Sequence, residues 1–549
     1  MLFDFTVPGA PPDGAVTIWS QFPLHPLASG PLTPFSYSVL AEVISRGWYL
    51  LYDRLGFDPP PRSRLLRRYQ GYAYLNLSLS ARLEAKQGIE PVIVQVNQRL
   101  CPLADWEKPR FLGSFKASRA QRKRDELPAA LAQEMEAITQ KAAAWSRRTQ
   151  ELRWSQAEVL QVMEEIERVG QEAMSAYLLA RHQLAWLYAK LLERMDRLPQ
   201  GGANGAQKLL LINGALCDLT GLLESEIAQG VIALSDVANR AAAAGASALV
   251  AWLKAGDYRD WQTTCPSRPL AEALAAFLAR FGHRTMSEGE MARPRWSEDP
   301  TMVMRSLLAC LERPPKRPAR MPVGGYVQRT LDALEPSSRR QGQQMLQRIH
   351  ELHLLQSRAL HALAYVWDGT RRWALAAAKE AMADGRLDAP DEVFFFELEE
   401  IKQMMTGEWN ISGLAEIRAA LAERQATHRE SQQLSPAPLL LDDQEAQPAR
   451  QGLPGVAGLA AGPLRRWAST KKNGCHEAIL GAEALDSGWA LGLPLANGFV
   501  SAGGSPLDSF VAAARVWHHP VVVGLGAQYW ALVEGAQTTV DGDAVLVSQ

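Results

Sequence analysis

The sequence runs to 549 residues, 47% hydrophobic and 21% charged, which at about 150 residues per domain leaves room for roughly three or four units. Its 58 Lys+Arg against 59 Asp+Glu give a net charge of −1, a balance that excludes general electrostatic binding to nucleic acid or to an anionic membrane. Five scattered cysteines, Cys101, Cys217, Cys265, Cys310 and Cys475, contain no C-x-x-C spacing, which argues against a disulfide framework or a zinc site.

Taken in order, residues 1–35 are Pro-rich and read as extended. They lack the basic start and apolar run of a secretion signal. The spacing predicts a first helix over 36–55. Segment 110–125 is basic; without interleaved aromatics it reads as a solvated helix face or loop rather than a phosphate patch. Residues 155–197 form the clearest helical pattern. Ser155 and Glu158 make a capping box, Trp154 and Val159 a hydrophobic staple, and Val162, Ile166, Val169 and Ala173 follow at helical spacing. Further helices are predicted at 217–255, 268–281, 301–312, 338–367, 371–385 and 411–432, with a break at Asp368-Gly369-Thr370. Within 338–367, Leu352, Leu355, Leu360, Leu363 and Val366 form a core stripe.

The chain changes character near 435. Residues 435–450, from Ser435-Pro436-Ala437-Pro438 through Pro448, lack periodicity and read as a linker. Beyond it, 451–549 reads as a small α/β unit, with short buried strands at 520–524 and 544–547 and a helix over Phe510–Val516 after a Gly503-Gly504 turn. The uncharged stretch 487–507 is punctuated by Gly and Pro, which rules out a membrane helix there. A cytoplasmic protein with no membrane span is expected.

Three segments carry a family resemblance. The first is Phe277-Leu278-Ala279-Arg280-Phe281-Gly282-His283-Arg284, continued by Glu288, Glu290 and Pro294-Arg295-Trp296-Ser297-Glu298-Asp299-Pro300. The second is Gly385-Arg386-Leu387 followed by Pro390-Asp391-Glu392-Val393-Phe394-Phe395. The third comprises Asp486-Ser487-Gly488-Trp489, Gly503-Gly504, Pro520-Val521-Val522-Val523-Gly524 and Val540-Asp541-Gly542-Asp543. Together with Trp19-Ser20 and Pro31-Leu32-Thr33-Pro34, these resemble the phosphoenolpyruvate synthase-related proteins, especially the rifampicin phosphotransferase branch. The resemblance implies a mainly α substrate-binding-like domain over 1–434, then a small α/β swivelling, phosphohistidine-like domain over 451–549. It also implies a large cavity suited to a bulky hydrophobic ligand.

Two departures from the family pattern shape the functional expectation. The family's full-length enzymes open with an ATP-binding domain, whereas this sequence begins near the substrate-domain signature and shows no glycine-rich phosphate loop. No cofactor and no metal is expected, and ATP use would need a separate ATP-binding subunit. The family's carrier histidine also follows its glycine pair in a pattern like G-G-x-x-[ST]-H, and here that position is Asp508. An acyl phosphate on Asp508 is chemically conceivable. The competing reading is a helix start, with Ser505 as cap, Pro506 at the first position and Asp508 at the third, favouring the dipole by about 0.3–1 kcal/mol.

The retained polar residues lie in the first segment. His283 suits a general base, Arg284 and Arg295 suit an anionic group, and Glu288 and Glu290 complete a charged cluster. Arg358 is a further substrate-binding candidate. A buried ion-pair network fixing the turn is an equal alternative. Arg371 and Arg372 read as exposed helix-start arginines, His518 and His519 as surface or packing residues, and Cys475-His476 as weak evidence for nucleophile or metal chemistry. Three functions stay open: a family member without phosphohistidine catalysis that binds a bulky small molecule or a partner enzyme; a divergent biosynthetic enzyme using His283, Arg284 and Glu288; and a phosphotransferase subunit served by another chain.

Overall fold

The computed structural model describes residues 4–6, 16–91, 93–96, 99–107, 111–150, 161–162, 165–166, 168–195, 205–218, 223–243, 247–313, 325–406, 413–448, 452–466 and 477–549. The capping box at 155–158 and the Cys475-His476 pair lie outside the described residues.

Strands β1 (Asp4–Thr6) and β2 (Ile18–Ser20) precede helix α1 (Pro34–Leu55). The start of α1 follows from its sequence: Thr33 accepts from the Ser36 amide, Pro34 occupies the first turn, and Gly56, at φ 72°, ends the helix in the left-handed region. Strands β3 (Leu66–Tyr69) and β4 (Tyr72–Asn76), helix α2 (Leu77–Lys86) and strands β5 (Ile93–Val96) and β6 (Arg99–Pro102) follow.

The helical body then comprises α3 (Phe111–Arg148), α4 (Gln171–Met195), α5 (Gly205–Asp218), α6 (Glu226–Ala243), α7 (Ser247–Ala255), α8 (Trp261–Thr264), α9 (Arg268–Phe281), α10 (Thr301–Glu312), α11 (Tyr326–Asp332), α12 (Arg339–Ala383), α13 (Leu398–Thr406) and α14 (Leu414–Ser431). The single helix expected over 217–255 is therefore divided, with α6 and α7 separate. The basic segment opens α3. Its Arg122 is solvated, but Arg124 is buried against Glu84, 3.3 Å away.

Two expectations are corrected here. Helix α12 is one rod of 45 residues and does not break at Asp368-Gly369-Thr370. A glycine within a helix normally weakens it, but here it lets α3 come close: a Cβ on Gly369 would lie 2.5 Å from the indole nitrogen of Trp145. The stretch 435–450 is not an irregular linker either. It contains the hairpin β7 (Leu439–Leu441) and β8 (Gln444–Pro448). Strand β7 pairs antiparallel with β2, Trp19 facing Leu440, and β8 pairs with β1. The resulting eight-stranded sheet runs β3-β4-β2-β7-β8-β1-β5-β6.

The terminal unit carries a seven-stranded sheet in the order β15-β14-β10-β11-β12-β13-β9. Its strands are β9 (Leu453–Val456), β10 (Leu459–Arg466), β11 (Ala478–Ala482), β12 (Ala496–Ser501), β13 (Val521–Val523), β14 (Gln537–Asp541) and β15 (Leu546–Ser548), with helices α15 (Ser509–Trp517) and α16 (Ala527–Ala531). Neighbours β10 to β13 are parallel. Strand β13 is buried as expected. Strand β15 is not: it lies at the sheet edge, and Leu546 and Ser548 are exposed.

Two large apolar cores hold these units together. One unites α1, α3, α4 and α12 through Trp48, Trp145, Tyr177, Leu184, Leu360 and Trp373. The expected stripe Leu352, Leu355, Leu360, Leu363 and Val366 belongs to it. The other crosses the 434 boundary: Phe281 and Leu307 of α9 and α10 share a core with Trp489, Phe510 and Val523 of the terminal unit. No helix among the described residues is long and apolar enough to cross a membrane.

Candidate functional site

The loop after β12 leaves the sheet at the C-terminal ends of its parallel strands, where open α/β sheets gather ligands. Gly504, at φ 100°, makes the turn that other residues rarely adopt. Helix α15 starts at Ser509, so the expected cap assignment shifts: Asp508 is the N-cap, not the third helical residue, and its side chain makes no capping bond to the first turn. One carboxylate oxygen accepts instead from the Ser505 amide at 2.8 Å, and the other lies 3.0 Å from Nη2 of Arg181 on α4. Arg181 also donates to the carbonyls of Leu507 at 2.8 Å and Phe22 at 2.6 Å. Burial pushes the Asp508 carboxyl up to about 6, against the pull of Arg181. His25 adjoins the same loop, 3.3 Å from where a Gly503 Cβ would stand, and burial holds its imidazole down to about 3.

Arg515, further along α15, is fully buried. Its Nη2 donates to Asn213 Oδ1 at 2.9 Å and to the Pro506 carbonyl at 2.6 Å. Asn213 in turn donates to the carbonyl of Pro454 at 2.7 Å. The terminal unit is thus joined to the helical body through buried polar contacts from both sides.

Helix α12 presents an unusual face to this junction. At about 100° per residue, His350, His353, Ser357, His361 and Asp368 fall within an arc of about 80°. All are buried, and each keeps at least one side-chain atom without a hydrogen-bond partner among the described residues. Most buried polar atoms in folded proteins have partners, so a row of such atoms on one face marks a polar seam. Burial, then Arg515, His350 and Arg181, hold the His353 imidazole well below its usual value.

The His283 segment closes the far end of the seam. It is a tight loop after α9: the Ser297 amide donates to Gly282 and the Trp296 amide to Arg284, both at 2.9 Å. Gly289 permits close approach to Leu27, whose carbonyl would lie 2.7 Å from an added Cβ. The His283 ring stacks on Tyr365 at 3.6 Å and meets His361 edge-on at 5.1 Å. Both His283 nitrogens lack partners among the described residues, and burial, then His361 and Arg284, keep the ring neutral. Arg284 pairs with Glu288 at 2.7 Å, and Glu288 also accepts from Ser487 of the terminal unit at 3.1 Å. Arg295 donates to the Glu288 carbonyl at 3.0 Å and lies near Asp368.

The predicted residues therefore separate. His283, Arg284, Glu288 and Arg295 come together in one buried cluster. Glu290 turns away from it and accepts from the amide and hydroxyl of Thr33 and from the Ser36 hydroxyl, fastening the start of α1. Arg358 is half-buried on α12, one turn before His361. Asp508 is at the opposite end, and no hydrogen bond or ion pair joins it to His283 among the described residues. Arg371 and Arg372 are not exposed helix-start residues. Arg371 is buried against Glu298 at 2.9 Å, and Arg372 pairs with Asp368 at 3.1 Å. His519 is a packing residue beside Phe499.

Sequence reasoning missed Arg181, Arg515, His25, His353, His361 and Asp486. The α12 residues had a signal, since polar side chains recur on one side of an otherwise apolar helix. Asp486 was noted only as part of the Asp486-Ser487-Gly488-Trp489 segment: it is buried and accepts from Ser29 at 3.0 Å and from the Ser287 amide at 2.7 Å, and burial and Glu288 push it up to about 7. No group of three or more His, Cys, Asp or Glu side chains is arranged to hold a metal among the described residues.

Comparison with known proteins places these features in two matched regions. Residues 172–363 match the model of the rifampicin phosphotransferase fourth domain, and residues 475–545 match that of the PEP-utilising enzyme mobile domain. The first region holds His283, Arg284, Glu288, Glu290, Arg295 and Arg358; the second holds Asp508 and Arg515. A stretch of 148 residues is 27% identical to the prodigiosin synthesizing transferase PigC of Serratia marcescens, covering 26% of this chain and 16% of that protein.

Proposed function

We propose, from the premise that this chain is a protein of the PEP-utilising, rifampicin phosphotransferase-like family, that it has lost phosphohistidine catalysis and holds a bulky small molecule in the seam between α12 and the terminal unit. The observation that carries the reading is the state of Asp508. A phosphohistidine carrier needs an accessible neutral imidazole that can travel between donor and acceptor. Here the position holds a carboxylate, fully buried and ion-paired to Arg181 across the junction. Its two oxygens are engaged by the Ser505 amide and by Arg181 of the helical body, contacts that a swinging carrier would have to give up.

The cluster around His283 supports recognition over acid–base work. A general base functions best with a pKa near the working pH, and this imidazole is held well below 6.5. Its free nitrogens, with Arg284 and Arg295, suit a ligand offering both acceptors and donors.

Likeness to a prodigiosin synthesizing transferase favours a divergent biosynthetic transferase as the second reading, with His283, Arg284 and Glu288 acting on the ligand. A third reading, a phosphotransferase subunit served by a separate ATP-binding chain, makes Asp508 a relay.

The test has two arms. The full chain is incubated with β- or γ-labelled ATP, alone and with an ATP-binding protein of the same family, under acid- and base-preserving work-up. No labelled residue is expected, and label on any imidazole of the chain, or on Asp508, overturns the reading. In the second arm, native mass spectrometry looks for a co-purified organic ligand. The ligand is expected to persist in Asp508→Asn and to vanish in Ala364→Phe, which enlarges a buried residue that falls within the same arc of α12 between Ser357 and Asp368. A turnover assay on the identified ligand then separates binding from transferase chemistry: activity that disappears in a stably folded His283→Ala variant establishes the second reading instead.

A further inference from the structure

The junction contains a charge that its protein neighbours do not balance. Arg181 and Arg515 both face His353 from α4 and α15, with His350 and Gln356 beside it on α12. Among the described residues, the carboxylate that pairs with either of these guanidinium groups is Asp508, and it belongs to Arg181; Glu224 and Glu351 act on His350 instead. Arg515 has no carboxylate within ion-pair distance among the described residues, though it is fully buried. Its Nη2 serves the oxygens of Asn213 and Pro506, but Nε and Nη1 have no partner among the described residues. A buried, unpaired cation is strongly disfavoured unless an anion accompanies it.

Geometry places those unused donors at a suitable point. Through the Pro506 carbonyl, the Arg515 head reaches back along α15 to the loop before its first turn, so the positive end of that helix adds to the same field. His353 is almost wholly buried and has no good hydrogen bond on either ring nitrogen among the described residues. A neutral imidazole keeps one N–H donor to offer. The guanidinium of one unit and the imidazole of the other therefore face each other across the junction, both with donors free.

We propose that Arg515 and His353, with Arg181 behind them, form a buried subsite for the anionic group of a ligand, a phosphate or a carboxylate, held where the terminal unit meets α12. This deepens the reading of the seam as a ligand site by naming the ligand's anionic end. The organic remainder then extends along α12 toward His361 and His283.

The test uses the full-length chain with inorganic phosphate and, separately, benzoate as probes, titrated calorimetrically against chloride at equal ionic strength. At least one probe is expected to bind; phosphate alone identifies a phosphorylated ligand, and benzoate alone or more tightly identifies a carboxylate. Arg515→Lys keeps the charge but loses the guanidinium, and is expected to weaken binding at least tenfold. His353→Leu is a second variant that leaves Arg515 in place, and is expected to weaken binding at least threefold. Failure of both probes to bind the folded wild type overturns the subsite, as does unchanged affinity in whichever of these variants folds. Ala364→Phe separates the two readings: it is expected to abolish retention of the organic ligand while leaving the probe affinity intact.

Discussion

At the scale of single residues, Asp508 shows how burial and pairing compete. Its carboxyl is pushed up to about 6 because desolvation outweighs Arg181. The fold therefore favours the uncharged form relative to the unfolded chain, and this contribution to stability is lost as pH rises from about 4 through about 6. Asp508→Asn, a neutral mimic, is expected to melt at or above the wild-type temperature at pH 8, with the difference shrinking toward zero at pH 5. Arg181→Met is expected to cost about 3–5 kcal/mol at pH 8, since it strands a buried carboxylate. Chemical denaturation of both variants at the two pH values checks the pair; a large loss in Asp508→Asn at pH 8 would mean that pairing outweighs desolvation. None of this was legible in the sequence, because Arg181 and Asp508 are hundreds of residues apart and no local pattern links them. The Ser505-Pro506 start was plausible locally, but Arg181 draws the carboxylate away from the helix amides.

Among the elements, legibility followed the range of the signal. Helix α1 was readable from its spacing over 36–55; it begins two residues earlier, where Thr33 and Pro34 make its cap and first turn, and Gly56 ends it. Helices α9, α10 and α14 were equally plain from apolar spacing. The break expected at Asp368-Gly369-Thr370 was wrong because the glycine there answers a neighbour and not a bend. Trp145 and Ser146 of α3 occupy the space a side chain would fill, with the Ser146 Cα 3.2 Å from an added Cβ. Ser146 also donates to Asp368 at 2.6 Å. Gly369→Val is accordingly expected to destabilise by about 1–3 kcal/mol through overpacking, although an exposed helical glycine would gain from substitution. A lowered urea midpoint, with a blue- or red-shifted Trp145 emission relative to Trp145→Phe controls, checks this; an unchanged midpoint would show that α3 yields freely.

For the whole molecule, the buried imidazoles set the response to acid. His25 and His361 are held down to about 3, and His283 and His353 well below 6.5, in each case chiefly by burial. Each must stay neutral in the fold but is free to protonate in the unfolded chain, so stability is lost as pH falls below about 6.5. Asp508 and Asp486, raised to about 6 and about 7, act in the opposite direction over the same range. His350, His428 and His519 are also held down by burial and Asp368 and Glu483 are also pushed up; seven imidazoles outweigh four carboxylates among the described residues, and the urea midpoint is expected to fall steadily from pH 7 to pH 5. A midpoint that climbs on acidification would falsify this balance. The overall division into a helical body and an α/β unit was readable from the change in composition near 435. The shared core between them was not, since Phe281 and Phe510 look like ordinary apolar residues of separate segments.

The hairpin at 439–448 also constrains how the chain is made. During synthesis the segment 18–20 can pair early with Tyr72–Asn76, but its other edge stays open until Leu439–Leu441 leave the ribosome. An open strand edge is a template for pairing with other chains, and domains made N-terminal end first are exposed for as long as the missing piece takes to arrive. A nascent polypeptide stalled before residue 439 would therefore present Ile18–Ser20 to chaperones or to its own copies, and soluble expression of such a fragment would require supplying the 439–448 ribbon in trans.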